Sequence, residues 1–572
     1  MSTEKPRDVQ TLPIAADTVA LRSRSWNRLR FEIEYGLERG TTANSYVIRG
    51  DSVALIDPPG ESFTEIFLAA LKESVDPTTI DYVILGHTNP NRMATLKVLL
   101  SVNPKITVVC SNPAAIALKA AFVETPLNLR VIKSSRDETL DLGQGHRLEF
   151  VPMPTPRWPD GMATYDSYAE VLYTDKFYGA HVCGDAVYDL GWEALLEDRR
   201  YYFDCLMAPN ARQVETALER LDDYPARLYA PNHGPLVAYG LTELRHAYQQ
   251  WSQKQKEKEQ SVVLIYASAY GNTATLAQAI ARGITKAGVA VESINAETAD
   301  PEDIRTAVEK AAGFVIGSPT LGGHPPTQIQ TALGIILSTA AKTKPSGVFG
   351  SFGWSGEAID LLESKLKDAG YSFGFETIRC KFKPTDVTLK LCEESGTDFA
   401  QSLKKAKRAK SPRTPATAVE QAVGRIVGSL CVVTAQQGEV ASAMLASWVS
   451  QATFNPPGFT VAVAKERAVE ALMYPGNPFA LNILAEGKHL GPMKHFLKPF
   501  SPGEDRFAGV ETDTAENGMP VLKDAIAYLE CEVSSRMDCG DHWVVYATVT
   551  QGKLLQANDK TAVHHRKSGS HY

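Results

Sequence analysis

Six residues, Ser268-Ala269-Tyr270-Gly271-Asn272-Thr273, offer two hydroxyls, a run of backbone N–H groups and a glycine that frees the chain from extended geometry. The apolar run Val262-Val263-Leu264-Ile265-Tyr266 precedes them, and an Ala-rich segment follows in which Leu276, Ile280 and Ile284 recur every four residues. A strand, turn and helix in that order bring unpaired amides and the positive end of a helix dipole to one spot, which suits a phosphate dianion. Such a turn also serves as a plain connection, so its neighbours decide. Two more apolar runs, Phe314-Val315-Ile316-Gly317 and Gly347-Val348-Phe349-Gly350, end in the Gly-rich loops Ser318-Pro319-Thr320-Leu321-Gly322-Gly323-His324 and Ser351-Phe352-Gly353-Trp354-Ser355-Gly356-Glu357. In a doubly wound sheet such loops gather beyond the carboxyl ends of the strands, where ligands bind.

With three loops matching in order, residues 261–405 resemble flavodoxin, a doubly wound α/β fold. The resemblance implies FMN, held by Ser268, Tyr270, Gly271, Asn272 and Thr273, by Pro319, Thr320, Leu321, Gly322 and Gly323, and by Ser351, Phe352, Gly353, Trp354, Ser355 and Gly356. Trp354 is the candidate ring neighbour.

Residues 1–250 hold a second set of chemically able side chains. Ser45-Tyr46-Val47-Ile48-Arg49 and Val53-Ala54-Leu55-Ile56 flank a Gly50-Asp51 turn, a hairpin signal. The strand-like Tyr82-Val83-Ile84-Leu85-Gly86 then delivers His87-Thr88-Asn89-Pro90-Asn91-Arg92, ahead of a helical pattern through Leu96, Leu99 and Leu100. Arg157-Trp158-Pro159-Asp160, the stretch from Leu172 to His181 and Ala230-Pro231-Asn232-His233-Gly234-Pro235 follow. This order resembles the metallo-β-lactamase-like domain of flavodiiron proteins, an α/β sandwich whose His, Asp and Glu side chains hold two irons that reduce oxygen or nitric oxide.

Against that pattern, His87 and His233 match ligand positions. Asn89 stands for Glu, Asn91 for Asp, Arg92 and Arg157 for His, and Lys176 for Asp, with Asp175 and Asp185 as nearby alternatives to Lys176. Three carboxylates and two imidazoles have become two amides and three potential cations. Arg has no lone pair to give a metal, and each unit of like charge about 4 Å away costs ~4 kcal/mol at an effective dielectric near 20. A standard diiron centre is not expected to load. The cations are expected to replace the metal charge by pairing with carboxylates or an anion, which leaves His87 and His233 as remnants or hydrogen-bonded core residues. His146, His181 and His324 read as structural or surface residues.

The polar segment 249–260 reads as the end of a solvated helix, and the basic, Pro-containing stretch around 404–415 as an extended linker, placed at 406–420. Residues 421–572 alternate short strands, such as Leu430-Cys431-Val432-Val433-Thr434 and Phe459-Thr460-Val461-Ala462-Val463, with turns, as in a small β-barrel. The run from Ser447 through Ser450 and Gln451 to Pro456-Pro457, with Asn482, Gly540-Asp541-His542 and the terminal His564-His565-Arg566-Lys567-Ser568-Gly569-Ser570-His571-Tyr572, resembles the flavin reductase-like split β-barrel. That resemblance implies a second flavin, FMN or FAD, contacted by Ser447, Ser450, Gln451, Asn482 and His542, the last also near a nicotinamide.

The 572 residues carry a net charge of -7, which gives no electrostatic case for nucleic acid. No apolar run reaches membrane-span length and the amino terminus is polar, so a cytoplasmic protein not integral to a membrane is expected. Eight cysteines form no Cys-x-x-Cys pair, which removes a rubredoxin-type iron site and leaves buried thiols as the expectation. Lactamase-like, flavodoxin-like and flavin reductase-like parts together resemble the flavodiiron proteins of oxygenic phototrophs, in the subclass whose diiron ligands are replaced. By resemblance, electrons enter from NAD(P)H or from a small iron–sulfur protein such as ferredoxin and pass through flavins toward oxygen, giving water. The family's head-to-tail assembly implies delivery to a diiron-bearing paralogue. The alternatives are a homo-oligomer that releases peroxide and a non-catalytic stabilising or regulatory partner.

Overall fold

The computed structural model describes residues 5–26, 39–123, 125, 127–133, 138–410, 417–498 and 500–566. The sequence features at 411–416 and 567–572 lie outside the described residues. The chain divides into two compact units, residues 1–267 with 290–307 and residues 268–289 with 308–572.

In the first unit a seven-stranded sheet runs Asp8–Ala15, Thr18–Ser25, Thr41–Arg49, Val53–Ile56, Ile80–Ile84, Thr107–Ser111, Asn128–Ile132. It is antiparallel as far as the hairpin at Gly50-Asp51 and parallel from Val53–Ile56 onward. The change of sense follows from the connections, since helices join the later strands. A second sheet runs Leu228–Pro231, Val171–Asp175, Met162–Asp166, His146–Pro152, Thr139–Gly143.

Alternation along the strands builds the layers. Tyr46, Ile48, Ile56 and Ile84 of the first sheet share one core with Phe150, Met162, Val171 and Tyr173 of the second. Val47, Leu55 and Val83 point the other way, onto Phe67, Leu96 and Leu118 of the covering helices. Beyond the second sheet, Leu172 packs with Phe203, Leu218, Tyr248 and Trp251. Each fully buried side chain of this kind contributes roughly 1.5–3 kcal/mol. Helix Leu241–Lys256 departs from the solvated reading of its end, because Tyr248, Trp251, Ser252 and Gln255 are buried.

A third sheet has the order Ala290–Asn295, Ser261–Tyr266, Gly313–Pro319, Ser346–Phe352, Ile378–Lys381, with parallel pairing in the first two and the last three. Leu276, Ile280 and Ile284 are fully buried on helix Asn272–Lys286, as their spacing predicts. That helix meets helix Asp386–Lys410 backbone to backbone. A Cβ at Gly283 would lie 1.9 Å from the Glu393 carbonyl oxygen, and one at Gly396 2.1 Å from that of Ile280.

Helix Asp386–Lys410 also corrects the linker, since residues 404–410 are helical rather than extended. The chain is helical again from Ala418, where Thr417 and Glu420 form a capping box. The last part is a seven-stranded antiparallel sheet: Val440–Ala446, Cys431–Gln437, Pro478–Leu484, Ala525–Asp538, His542–Leu554, Pro457–Ala464, Val449–Phe454. Its core joins Val433, Phe459, Val461, Phe479 and Val545. Six cysteines are buried, but Cys183 is half-buried and Cys539, between two strands, is exposed. Among the described residues no helix is long and apolar enough to cross a membrane.

Candidate functional site

His87 follows strand Ile80–Ile84 by three residues and is fully buried. Its Nδ1 lies 2.8 and 2.9 Å from the two carboxylate oxygens of Asp175 and donates to them. Asn89 donates its amide to His87 Nε2 at 3.1 Å. The Asn89 carbonyl accepts from the Arg92 N–H at 2.8 Å and caps helix Pro90–Val102, with Pro90 at its first position. Asn89 is therefore a helix cap whose other end blocks the imidazole lone pair.

The second imidazole is closed in the same way. His233 Nδ1 donates to the Thr42 carbonyl at 2.6 Å, and Lys176 donates to His233 Nε2 at 2.9 Å. These partners make Nδ1 the donor and Nε2 the acceptor of each ring. Burial holds His233 well below the usual imidazole range, and Lys176 lowers it further. Burial also pushes the Lys176 amine well below its ordinary 10.5.

Arg92 supplies the positive charge. Its guanidinium donates to Asp57 Oδ1 at 2.9 Å and to the His87 carbonyl at 2.9 Å, and stands 3.7 Å from Asp175. Burial raises Asp57 to about 6, against the pull of Arg92. Burial would raise Asp175 too, but His87, then Arg92 and His233, bring it below the ordinary range. Asn232 donates a further 3.0 Å bond to Asp175. Asn91 is half-buried on the first turn of the capped helix, and Arg157, also half-buried, has its guanidinium carbon 5.2 Å from the Trp158 ring centroid. Asp185 lies elsewhere, 2.8 Å from Arg24. His146 and His181 are structural, bonded to Asp166 at 2.6 Å and to Thr41 at 2.7 Å.

These residues do not fit a diiron centre. Both imidazole lone pairs are occupied by donors, and among the described residues no group of three or more His, Cys, Asp or Glu side chains could hold a metal ion. Asp57 and Thr42 were not singled out in the sequence. Asp57 directly follows strand Val53–Ile56, and a carboxylate at a strand end beside Pro58-Pro59 was the available signal.

The loops of the second unit are arranged differently. Gly271, at φ 81°, sets the N-terminus of helix Asn272–Lys286 without a side-chain cap. Ser268 Oγ accepts from the Ala274 N–H at 3.1 Å. Thr273 and Ser351 hydroxyls bond at 2.8 Å, and the Thr320 N–H donates to the Ser351 carbonyl at 3.0 Å, so the three loops are tied together. Leu321 and His324 exchange backbone bonds of 2.9 and 3.1 Å around Gly322 and Gly323, which sit at φ 58° and 84°. Pro319 is buried at the end of its strand, and Phe352, Gly353, Ser355 and Gly356 lead into helix Glu357–Asp368.

The Thr320 hydroxyl is buried without a hydrogen-bond partner. Tyr270 and Trp354 rings are 84% and 93% exposed. Phe382, which pattern reading did not select, is 56% exposed in the left-handed region at φ 59° and borders Gly353. A glycine at the helix N-cap, an orphaned hydroxyl and exposed rings fit an anionic ligand with a flat aromatic part.

In the last part, Ser447 is buried, while Ser450 and Gln451 are exposed on strand Val449–Phe454. The Trp448 and His542 rings are 5.0 Å apart, and His542 Nδ1 is 2.8 Å from Asp541. Asn482 corrects the expected set. It is fully buried, donating to the Val432 carbonyl at 3.1 Å and Thr434 Oγ1 at 3.2 Å, and accepting from the Leu522 N–H at 2.8 Å. Its amide ties neighbouring strands together from a fully buried position.

Comparison with known proteins agrees with the three parts. Residues 41–234 match the family described as ODP family beta lactamase, 264–396 match Flavodoxin, and 423–570 match Flavin reductase like domain. Together these parts define a flavodiiron-type flavoprotein, with flavodoxin and flavin reductase-like domains that indicate flavin binding and oxidoreduction. The chain is 68% identical over 572 residues to putative diflavin flavoprotein A 6 of Nostoc sp. (strain PCC 7120), covering 100% of both. It is 63% identical over 571 residues to putative diflavin flavoprotein A 3 of Synechocystis sp. (strain PCC 6803), covering 99% of this chain and 96% of that one. The chain belongs to the diflavin flavoprotein A family. A solved structure, the metal-soaked Flv1 flavodiiron core from Synechocystis sp. PCC6803, is 63% identical with a TM-score of 0.68, covering 70% of this chain and 100% of that one.

Proposed function

We propose that this chain is the electron-delivering subunit of a cytoplasmic flavodiiron hetero-oligomer. It takes electrons from NAD(P)H or ferredoxin and hands them, head to tail, to a diiron-bearing paralogue that reduces oxygen to water. The observation that carries this reading is the occupation of His87 and His233 Nε2 by Asn89 and Lys176, which leaves the chain's own pocket without a route to iron.

The bound flavins supply the redox chemistry, which protein side chains lack. The residues set its place. Ser268, Gly271, Asn272 and Thr273 would hold the FMN phosphate at the helix start. Thr320 to Gly323 and Ser351 to Gly356 would line the ring, with Tyr270 and Trp354 against its faces. Ser447, Ser450, Gln451 and His542 would hold the second flavin.

Metal and flavin analysis of the purified full-length chain tests the proposal. The expected result is flavin without iron, flavin reduction by NAD(P)H or reduced ferredoxin, and oxygen uptake only when the paralogue is added. About two irons per chain would overturn it. Peroxide release by the chain alone would instead make it a homo-oligomeric flavin oxidase, and the absence of both activities a stabilising partner.

A further inference from the structure

Arg566 follows the short strand Val563–His564, which pairs with Gly428–Ser429. Its side chain is 9% exposed, and its guanidinium carbon lies 4.7 Å from the centroid of the Trp448 ring, inside the Ser447 to Gln451 run. Nη2 reaches only the Ile426 carbonyl, at 3.5 Å, and Nη1 is buried without a hydrogen-bond partner. Among the described residues no carboxylate forms an ion pair with it.

The neighbouring titratable side chains among the described residues are imidazoles, not carboxylates. His564 is lowered by burial and then by Arg566, His565 and His489, so these groups share one neighbourhood. His489 Nδ1 is likewise buried and unpartnered. The His542 ring stands 5.0 Å from the Trp448 ring. A guanidinium cannot escape burial by losing its proton, and an unpaired buried charge is costly. Its fork of donors matches phosphate oxygens in pairs.

We propose that Arg566 anchors an anionic subsite at the Trp448 face of the reductase-like part, taking a phosphate ester carried by a flavin or a pyridine nucleotide. The inference rests on the reading of that part as a second flavin site, and assigns the anion-holding residue it lacked. Trp448 positions the guanidinium by stacking, and the unpartnered His489 Nδ1 adds a second polar atom.

The test uses the full-length protein and its Arg566→Met and Arg566→Lys variants. Flavin per chain is counted first. Fluorescence titrations then compare FMN with riboflavin, and NADH with dihydronicotinamide riboside, so that each pair differs by the phosphate-bearing group. In Arg566→Met, FMN or NADH is expected to weaken about tenfold or more while its phosphate-free counterpart is unchanged. Arg566→Lys is expected to fall between. Loss in the FMN pair assigns the flavin phosphate, and loss in the NADH pair the nucleotide. Unchanged preference in both pairs would overturn the proposal even with two flavins per chain. One flavin per wild-type chain would refute the second-flavin reading instead, and with it the FMN arm, leaving the NADH pair to decide. A lowered melting temperature of ligand-free Arg566→Met with no change in either pair would make the arginine purely structural.

Discussion

The His87–His233 pocket of the first unit and the three-loop cradle of the second treat their polar atoms in opposite ways. In the pocket, His87, His233, Asn89, Lys176, Arg92, Asp57 and Asp175 bond to one another, and both imidazoles are closed at each nitrogen. In the cradle, a glycine stands at the helix N-cap, the Thr320 hydroxyl has no partner, and Tyr270 and Trp354 face solvent. A site built for a ligand leaves bonds unmade, because the ligand makes them. A site that has lost its ligand must make them internally, since each unpaired buried polar group costs about 1–3 kcal/mol. Hydrogen-bond satisfaction thus separates the two, beside the charged side chains that only the pocket gathers.

The contrast predicts that damage to the pocket is read in stability and damage to the cradle in cofactor affinity. The largest effect is expected for Arg92→Leu. It leaves Asp57 and Asp175 buried without their cation and should cost about 3–5 kcal/mol in the unfolding transition of the first unit, followed by calorimetry or urea melts. Flavin content should be unchanged. A variant that loses flavin but keeps its stability would break the comparison. Trp354→Ala should do the reverse. Loss of one stacked ring weakens FMN roughly two- to tenfold, from a ring-stacking contribution of about 0.5–1.5 kcal/mol. The ligand-free protein should unfold within about 0.5 kcal/mol of wild type, as for exposed positions generally.

Much of this was legible in the sequence, and the misses have physical causes. Continuous apolar runs ending in Gly-rich loops located the cradle, because backbone geometry there depends on local residue type. Asn89 was read as a replaced ligand, although Asn followed by Pro is also a helix start, and the structure has it act as the cap. Of Asp175 and Lys176, adjacent in the chain, Asp175 bonds His87 and Lys176 bonds His233; spacing alone does not assign such partners. Asn482 looked available because burial is a tertiary property. The linker was misplaced because Lys and Ala are good helix formers, and Pro412, the first strong breaker, comes only after Lys410. Phe382 escaped notice because a left-handed backbone at a bulky residue leaves no mark in composition.

Lys176 gives the finest test of the closed pocket, because its amine is buried and bonded to an imidazole instead of a carboxylate. Burial lowers its proton affinity in the folded state while the unfolded chain keeps the ordinary value near 10.5. Below 10.5 the unfolded state therefore binds more protons, and stability rises with pH through that window, by no more than about 1.4 kcal/mol per pH unit for one group. Buried thiols such as Cys110 and Cys183, raised to about 12 and about 11, act in the opposite sense over the same window, so the lysine's part is read as the stability of the protein minus that of Lys176→Met, a difference expected to grow from pH 8 to pH 10. Lys176→Met removes the titrating group and with it that part. It also strips the donor from His233 Nε2, which reopens a lone pair beside Asp175. Iron or zinc retained by Lys176→Met after dialysis, and absent from wild type, would identify the lysine as what keeps the pocket closed. A pH dependence unchanged by the substitution would mean that the amine is already charged and hydrated, and that the pocket is closed by Arg92 and Asn89 alone.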